Sequence, residues 1–299
     1  MSKICVVGSA NLDIVVPVGH HPTRGETVLG GDHLQFAGGK GANQAVASSR
    51  LGAEVAFVGR VGDDGPGTTL RAALVEAGID TSHLITTAGV PSGIALITVD
   101  SDGDNAIVVS PGANARLRPD DITQATAVKD CDLVQLQLET PLETVLAAAR
   151  TASGIVILDP APAPANGLPQ ELLNEVDIIV PNETELAILS GHTTVADDIE
   201  SVVAAAKSLR VETVVVTLGS RGALVVNDDV IEVPTPNVDV VDTTAAGDAF
   251  RSALAVELAG GRDIEAAARF AAQVGAATTL RMGAQPSLPT RQEVAKLLG

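Results

Sequence analysis

Aromatic side chains are scarce in this chain of 299 residues, which has four Phe, no Tyr and no Trp. Hydrophobic residues make up 45% of the sequence and aromatic residues only 1%. The core must therefore be built from Val, Ile, Leu and Ala. A site that stacks a nucleobase on an aromatic platform is disfavoured for the same reason, although Phe36 beside a glycine pair leaves that possibility open.

Cysteine is equally scarce, with Cys5 and Cys131 as the two examples. Two residues at this separation exclude a disulfide framework and a cysteine-based metal site. Both lie in apolar runs, so we expect buried free thiols. Such thiols fit the reducing cytoplasm.

Positive charge is outweighed, because 19 Lys and Arg face 37 Asp and Glu and give a formal net charge of -18. A broad negative field argues against nucleic acid or an anionic membrane as a partner. A small anion is not excluded, since local N–H groups and a metal ion can override the mean field. No apolar run is long enough to span a bilayer and no signal peptide is evident, so we expect a cytoplasmic protein.

Short aliphatic runs alternate with longer amphipathic segments along the chain. The predicted strands are Ile4–Val7, Val55–Val58, Leu133–Leu136, Ile155–Leu158, Ile178–Val180, Val214–Thr217 and Ala223–Val226. The predicted helices are Gly41–Leu51, Gly67–Glu76, Leu142–Thr151, Thr184–Leu189, Ile199–Leu209, Ala249–Leu258, Ile264–Thr278 and Arg291–Leu298. This alternation indicates βαβ units and a parallel sheet covered by helices on both faces.

Two segments break the alternation, and no linker divides the chain, so we expect a single domain over residues 1–299. Residues 12–36 are rich in Gly, His and Pro. Residues 93–110 predict a hairpin turned at Asp102-Gly103. Together they predict a small β lid over a site that must exclude water. An edge hairpin with no gating role is the alternative.

The segment Ala245-Ala246-Gly247-Asp248 places small residues directly before a carboxylate at a predicted helix start. Free N–H groups at a helix start bind anions, and the small side chains would let a phosphate approach the backbone. Asp248 could then act as a base beside this phosphate, on which negative charge develops during transfer. A purely structural N-cap is the alternative for this residue. The chain has no P-loop sequence.

Polar residues elsewhere could complete such a site. Gly38–Asn43 opens a helix with adjacent glycines that allow close backbone approach, or forms a simple turn. Asn11 and Asp13 follow the first strand, where ligands bind in open α/β sheets, or form an Asx turn. One carboxylate can accept hydrogen bonds from two hydroxyls of a polyol. Glu139 follows another strand, and a helix-start acid is its alternative interpretation.

Two further segments have a local and a functional interpretation, and a third has only a local one. Asn182 and Glu185 form a predicted capping box and could instead orient hydrated Mg²⁺ and phosphate oxygens. Thr217–Gly222 could line a nucleotide or form a hairpin turn. Gly59–Gly65 is predicted to be a loop.

In combination and in this order, these motifs resemble the ribokinase/PfkB family of sugar kinases over essentially the whole chain. The segments that carry the resemblance are Gly38–Ala45, Gly59–Gly65, Val108–Asn114, Asn182–Glu185, Thr217–Gly222, Asp242–Phe250 and Gly283–Ser287. The most specific are the glycine pair with Lys-Gly-Ala-Asn and the Asp-Thr-Thr-Ala-Ala-Gly-Asp segment. The resemblance implies a three-layer α/β/α sandwich, with a mainly parallel central sheet, and a small β lid that often forms a dimer interface.

The resemblance also implies roles for individual residues. Asp248 matches the base, and Ala245, Ala246 and Gly247 match the anion hole. The positions that match sugar contacts are Asn11, Leu12, Asp13, Gly39, Lys40, Gly41, Ala42, Asn43, Glu139 and Asp248. Those that match ATP contacts are Asn182, Thr217, Leu218, Gly219, Ser220, Arg221, Gly222, Gly247 and Asp248, with Glu185 near Mg²⁺ and phosphate. Those that match a monovalent cation site, usually for K⁺, are Asp242, Thr244, Thr278, Arg281, Gly283 and Ser287.

Two positions depart from the family pattern. Arg251-Ser252 stands where Asn-Gly is usual, and Ala272 stands where an Asn often borders the adenine. Arg251 could point to solvent or alter the surroundings of the anion hole. The missing amide at Ala272 would weaken one nucleotide contact.

The resemblance implies an ATP-dependent kinase that phosphorylates D-ribose at its 5-hydroxyl, acting as a homodimer joined through the lid. Three alternatives remain open. The acceptor could be another pentose such as deoxyribose. It could be a nucleoside such as adenosine, inosine or pseudouridine. The chain could also be a non-catalytic sugar-binding regulatory protein that kept the fold.

Overall fold

Most strands of the computed structural model, which describes residues 2–192, 194 and 198–298, lie in one central sheet. The strands are β1 (Lys3–Val7), β2 (Asn11–Pro17), β3 (Leu34–Gly38), β4 (Glu54–Gly62), β5 (Leu84–Thr87), β6 (Gly93–Val99), β7 (Asn105–Ser110), β8 (Leu133–Leu136), β9 (Ile155–Leu158), β10 (Ile178–Ile179), β11 (Thr213–Thr217), β12 (Ala223–Val226) and β13 (Val230–Val233). The helices are α1 (Lys40–Arg50), α2 (Gly65–Glu76), α3 (Pro119–Gln124), α4 (Ala127–Asp130), α5 (Leu142–Thr151), α6 (Gln170–Leu173), α7 (Glu183–Leu189), α8 (Ile199–Ser208), α9 (Ala246–Ala259), α10 (Ile264–Thr278), α11 (Ala284–Ser287) and α12 (Arg291–Leu298).

The large sheet has the strand order β13-β12-β11-β10-β9-β8-β1-β4-β5. Every pair from β11 to β5 is parallel, whereas β12 and β13 are joined antiparallel at one edge. Helices join the parallel strands because a parallel crossover needs a long connection. The mainly parallel sheet predicted from the short aliphatic runs is confirmed.

Both faces of the sheet are buried, as alternate residues of β1 show. Ile4 and Val6 belong to a core cluster that includes apolar residues of α1, α9 and α10. Cys5 and Val7 belong to a second cluster that includes residues of α5 and α8. Successive side chains of a strand point to opposite faces, so the helices form a layer on each side. The predicted three-layer arrangement, its aliphatic core and the buried free thiols are confirmed.

A separate four-stranded sheet has the order β3-β2-β6-β7. β6 and β7 are antiparallel, and their connection is closed by a hydrogen bond of 3.0 Å from Asp100 N to Asp104 O, so the predicted hairpin is confirmed. β2 and β3 form the two ends of the predicted lid segment 12–36, for which no strand limits were predicted. Several aliphatic side chains on this sheet are largely exposed: Leu34, Leu96, Ile107, Val108 and Val109.

The glycine-rich segment Gly59–Gly65 is not a loop, and that prediction was wrong. Its first four residues continue β4, which pairs with β5, and its last residue begins α2. The physical reason is close packing: a Cβ added at Gly62 would lie 2.3 Å from Val90 O. The glycine thus lets a neighbouring segment approach the strand.

Among the described residues, no helix has the length and apolar character needed to cross a lipid bilayer.

Candidate active site

The predicted site residues converge at the carboxyl ends of the parallel strands. Asn11 follows β1, Glu139 follows β8, Asn182 follows β10, and Thr217 ends β11. Helices α1 and α9 begin at the same edge and pack against each other. Ligands bind at this edge in open α/β sheets because the loops there face a common crevice.

The start of α9 is built to expose backbone N–H groups. Ala245 adopts a left-handed conformation with φ of 61°, which turns the chain sharply into the helix. The first full helical hydrogen bond runs from Ala249 N to Ala245 O at 2.8 Å. The N–H groups of Gly247 and Asp248 precede that bond and have no acceptor within the helix. They are therefore available to an anion.

Asp248 lies inside the first turn of α9 and does not cap it, so the N-cap alternative was wrong. Its carboxylate accepts hydrogen bonds from Asn43 Nδ2 at 3.0 Å and from Gln44 Nε2 at 3.1 Å. Both donors come from α1, and Asp248 is only 7% exposed. The facing helix thus fixes the orientation of this carboxylate.

The glycines at the start of α1 permit the close packing that the site needs. Gly39 has φ of 87°, and a Cβ there would lie 2.7 Å from Asn11 N. A Cβ at Gly38 would lie 2.1 Å from Asp13 Oδ2. Gly41 is equally confined, with Ser9 N at 2.6 Å. Only glycine allows the chain to pass at these distances.

Glu139 ties the end of β1 to the start of α1. Its Oε2 accepts hydrogen bonds from Ser9 Oγ at 2.5 Å and from Lys40 N at 3.1 Å, with Asn11 Nδ2 at 3.5 Å. Asn11 Oδ1 in turn accepts a hydrogen bond of 2.8 Å from Asn114 Nδ2. These long-range contacts replace the Asx turn and the helix-start acid that local sequence allowed.

Asp13 and Lys40 complete the polyol side of the crevice with opposite charges. Burial, and then the carboxylates of Glu139 and Asp248, raise the pKa of Asp13 to about 7. Burial works to lower the pKa of Lys40, but the surrounding carboxylates prevail and the pKa is raised. Leu12 and Ala42, by contrast, have side chains in the apolar core and can offer only backbone atoms.

A cavity of 730 Å³ lies on the other side of the α9 start. The residues predicted to contact a nucleotide that line it are Asn182, Thr217, Gly219, Ser220, Gly222 and Gly247. Leu218 instead packs against the core, and Arg221 pairs with Glu183. Phe250 and Ala272 add apolar surface to the lining. This volume suits a nucleotide-sized ligand.

Glu185 has a local role in addition to its place near the cavity. Its carboxylate accepts a hydrogen bond of 2.8 Å from Asn182 N, while Glu185 N donates to Asn182 Oδ1 at 2.8 Å. The predicted capping box is therefore confirmed. The same Oε2 atom also contacts Arg251 Nη2 at 3.2 Å. Arg251 is only 4% exposed, so of its two interpretations the solvent-facing one was wrong.

The residues predicted to surround a monovalent cation form a connected loop structure. Asp242 accepts hydrogen bonds from Thr244 N, Thr244 Oγ1 and Gly283 N, at 2.8, 2.6 and 2.8 Å. Burial raises the pKa of Asp242, but these hydrogen bonds outweigh it and the pKa is lowered. Thr278 and Ser287 are both fully buried. The side chain of Arg281 forms an ion pair with Glu293, with Nη2 2.9 Å from Oε1. Arg281 could therefore supply only its carbonyl.

Three buried residues belong to the site but were not singled out from the sequence. Gln44 donates to Asp248 and also to Asp159 Oδ2, the latter at 2.8 Å. Asp159 is fully buried after β9, and Asn114 holds Asn11. In the sequence, Asp159 was indicated only by its position directly after a strand.

A further cavity of 960 Å³ lies near Arg50, Glu257 and Arg291 and contains none of the predicted site residues.

The geometry defines a class of chemistry. A fixed carboxylate lies beside free helix N–H groups, between a polar pocket suited to hydroxyl groups and a cavity suited to a nucleotide. Transfer of a phosphoryl group to an alcohol needs these parts: a base, charge stabilisation and positioning.

Comparison with known proteins identifies the family. The model of the pfkB family carbohydrate kinases matches residues 1–291, and the chain belongs to that family. The chain is 41% identical to the ribokinase of Haemophilus influenzae over 99% of this chain and 98% of that one. It is 37% identical to the deoxyribokinase of Salmonella typhi over 97% and 96%. The structure of Arabidopsis thaliana ribokinase complexed with ribose and ATP superposes with a TM-score of 0.90 at 36% identity, covering 100% of this chain and 99% of that one. The protein is a sugar kinase.

Proposed function

We propose that this sugar kinase transfers the γ-phosphoryl group of ATP to the 5-hydroxyl of D-ribose. One observation carries the proposal: Asp248 is held by α1 residues of the polyol pocket, while Gly247, the residue before it, lines the nucleotide-sized cavity. A base at the junction of the two pockets can reach an acceptor hydroxyl and the transferring group together.

The relatives support ribose as the acceptor and name a second candidate. The Haemophilus ribokinase is 41% identical, and the Salmonella deoxyribokinase is 37% identical over nearly the same length. Two sugars that differ by one hydroxyl are separated by individual hydrogen bonds, not by overall similarity. We therefore test 2-deoxyribose beside D-ribose.

In the proposed mechanism, Asn11, Asp13 and Asn43 orient the sugar by hydrogen bonds to its hydroxyl groups. Asp248 accepts the proton of the attacking hydroxyl as the new O–P bond forms. The N–H groups of Gly247 and Asp248 stabilise the charge on the transferring group. ADP leaves with the former bridging oxygen. Asn182, Thr217 and the Gly219–Gly222 turn support the nucleotide.

Two cations belong to the proposal. Glu185 is the carboxylate that the resemblance assigns to Mg²⁺, but Asn182 N and Arg251 already contact its Oε2. Mg²⁺ would therefore be held mainly by the phosphates, and it supplies charge neutralisation. The loops joined by Asp242 and Gly283 offer oxygen donors suited to K⁺. K⁺ there would rigidify the start of α9.

We also propose a homodimer, a single catalytic domain and a cytoplasmic location. The exposed aliphatic residues of the small sheet support a partner surface, since contiguous exposed apolar patches mark interaction sites. Buried free thiols support a reducing compartment. The small sheet serves as a lid because β2 carries Asn11 and Asp13 at the polyol pocket.

The experiment is ATP consumption measured with D-ribose, 2-deoxyribose, fructose, adenosine, inosine and pseudouridine, in Mg²⁺ and K⁺. We expect the highest kcat/KM with D-ribose. Preference for 2-deoxyribose or a nucleoside would overturn the substrate while keeping the reaction class. Sugar binding without ATP turnover on any compound would favour the non-catalytic alternative. Replacing K⁺ by a tetraalkylammonium ion at equal ionic strength should lower the rate, and equal rates would remove K⁺ from the proposal.

A further inference from the structure

Arg251 is a buried cation beside the proposed phosphate site. It lies one helical turn after Gly247 on the same face of α9 and is only 4% exposed. Its Nε lies 3.1 Å from Asp159 Oδ1 and donates to Val180 O at 3.0 Å. Its Nη2 contacts Glu185 Oε2 at 3.2 Å. Arginine is almost never buried without such partners.

The remaining edge of the guanidinium faces the start of the helix. A Cβ built on Gly247 would lie 2.5 Å from Arg251 Nη1, so this nitrogen lies directly against the predicted anion hole. Arg251, Gly247 and Ala246 line the same 730 Å³ cavity. Within the part of the chain that the structure describes, Nη1 has no hydrogen-bond acceptor. The two N–H groups of Nη1 are therefore available to a phosphate bound in this cavity.

Stabilisation of the fold does not by itself account for this arrangement. Burial raises the pKa of Asp159 to about 6, although Arg251 and Lys40 act in the opposite direction. Burial and the neighbouring carboxylates of Asp248 and Glu185 together outweigh the attraction of these two cations. A buried ion pair of this kind is weak evidence for stability. It leaves Arg251 fixed in place and still able to bind a stronger anion.

We propose that Arg251 is an additional catalytic residue, which binds the terminal phosphate of the nucleotide through Nη1 and stabilises the charge of the transferring group. The inference rests on the proposed kinase reaction. The bond from γ-phosphorus to the bridging oxygen breaks, the bond to the sugar oxygen forms, and Asp248 takes the proton. Arg251 stays protonated throughout, and ADP carries away the electron pair of the broken bond. Asp159 and Glu185 are positioning residues for the guanidinium.

The test compares the double variant Asp159→Asn/Arg251→Asn with the wild-type protein and with Asp159→Asn alone, because Asp159 also accepts a hydrogen bond from Gln44, which orients Asp248. Replacing both partners avoids an unpaired buried carboxylate, which the single Arg251→Asn variant would leave. Affinity for ATP in the presence of EDTA is measured by calorimetry without sugar, and kcat and KM are measured with Mg²⁺. Circular dichroism and the melting midpoint establish folding.

We expect the double variant to bind metal-free ATP about tenfold more weakly and to lose about 100- to 1000-fold in kcat, since arginines that contact a transferring phosphoryl group have effects of this order or larger. Affinity for the sugar should change by less than about twofold, because Arg251 contacts none of the polyol residues. The variant Arg251→Lys should have a higher kcat than the double variant, since lysine keeps the positive charge but has fewer fixed donors than arginine.

The matched control is Glu265→Gln/Arg269→Asn, which removes an exposed ion pair from α10 and makes the same change in charge. We expect wild-type behaviour from it. A folded Asp159→Asn/Arg251→Asn variant with wild-type kcat and ATP affinity would overturn the proposal. The calorimetric measurement needs no sugar turnover, so it also tests Arg251 if the proposed substrate proves wrong.

Discussion

Asp248 and Asp13 are carboxyl groups of one pocket, but their surroundings give them different roles. Asp248 is fixed by two amide donors of α1 and lies beside the free N–H groups of α9. Asp13 is half-buried opposite Gly38, and this burial, together with two other carboxylates, raises its pKa to about 7. The first arrangement suits a base, and the second suits recognition of hydroxyl groups.

Replacing Asp248 with Asn should abolish most turnover while leaving sugar binding almost unchanged. The amide keeps the size of the side chain but cannot accept the proton, and general bases contribute about 100- to 10,000-fold to rates. We expect kcat to fall within that range and the calorimetric Kd for D-ribose to change by less than about threefold. Asp13→Asn is the converse control, expected to weaken sugar binding more than kcat. Wild-type-like turnover by Asp248→Asn would remove this residue from the mechanism.

Sugar affinity should rise with pH through the titration of Asp13. The sugar-free protein favours the protonated carboxyl below about pH 7, whereas two neighbouring hydroxyls bind best to the ionised form. Because a raised pKa means that the charged form is disfavoured, the destabilising effect on the sugar-free protein is absent below about pH 4 and complete above about pH 7. We expect Kd for D-ribose to fall about tenfold between pH 6 and pH 8. Asp13→Asn should flatten this profile, and an unchanged slope would assign the effect to another group.

Sequence alone located the two carboxylates but not their partners. The contacts of Asp248 with α1 join residues more than 200 positions apart, namely 205 and 204. Asp159 gave no motif at all, because a lone acid after a strand is common. Arg251 was visible as a departure from the family pattern. Its direction depends on Asp159 and Val180, which only the fold brings beside it.

At the scale of elements, the crossing of α1 over the ends of β1 and β2 controls the geometry of the polyol pocket. Glycines at the start of α1 set this crossing, since Gly39 adopts φ of 87° with Asn11 N only 2.7 Å from its missing Cβ. Any side chain there must move the helix, the strand or both. Movement of the helix would displace Asn43 and Gln44 from Asp248.

Gly39→Ala should therefore destabilise the protein by about 3 kcal/mol or more, combining backbone strain with a steric clash. Gly52→Ala is a matched control, because Gly52 has φ of 99° but nothing within 4 Å of its added Cβ. That variant should cost only the backbone term, about 1 to 2 kcal/mol. Urea denaturation of both proteins measures the difference. Equal losses of stability would show that the predicted contact at Asn11 does not limit the packing.

Most buried strands and amphipathic helices were predicted to within two residues of their observed limits, whereas the start of α9 and the end of β4 were displaced further. The limits of β9 and α5 agree with the sequence prediction, since apolar runs and helical spacing are decisive there. β13 was missed because it is short, largely exposed and owes its conformation to β12. No limits were predicted for β2 within the lid segment, because this strand depends on pairing with β3 and β6. The glycines of β4 looked like a loop because their reason, close approach of Val90, is tertiary.

At the scale of the whole molecule, the small sheet leaves an apolar face uncovered. Val108 is 66% exposed on β7, and Leu96 opposite it on β6 is 52% exposed. Adjacent exposed aliphatic side chains on one sheet mark a surface that binds a partner in solution.

The proposed dimer predicts that Val108→Asp will dissociate the protein. Burying an unpaired carboxylate in an apolar interface is unfavourable, so the variant should sediment as a monomer at a concentration where the wild type is a dimer. Val75→Asp is the control, since Val75 is 56% exposed on α2, outside the small sheet. Analytical ultracentrifugation distinguishes the species. A monomeric wild type at micromolar concentration would refute the interface.

The order of the site residues along the chain has a consequence for how such proteins diversify. Apart from Asp248, the residues proposed to hold the acceptor lie between Asn11 and Glu139, whereas the lining of the nucleotide cavity begins at Asn182 and ends at Thr279. Asp248 joins the two groups through Asn43 and Gln44. Mutations in the first half can therefore change which sugar is accepted while the use of ATP is inherited intact.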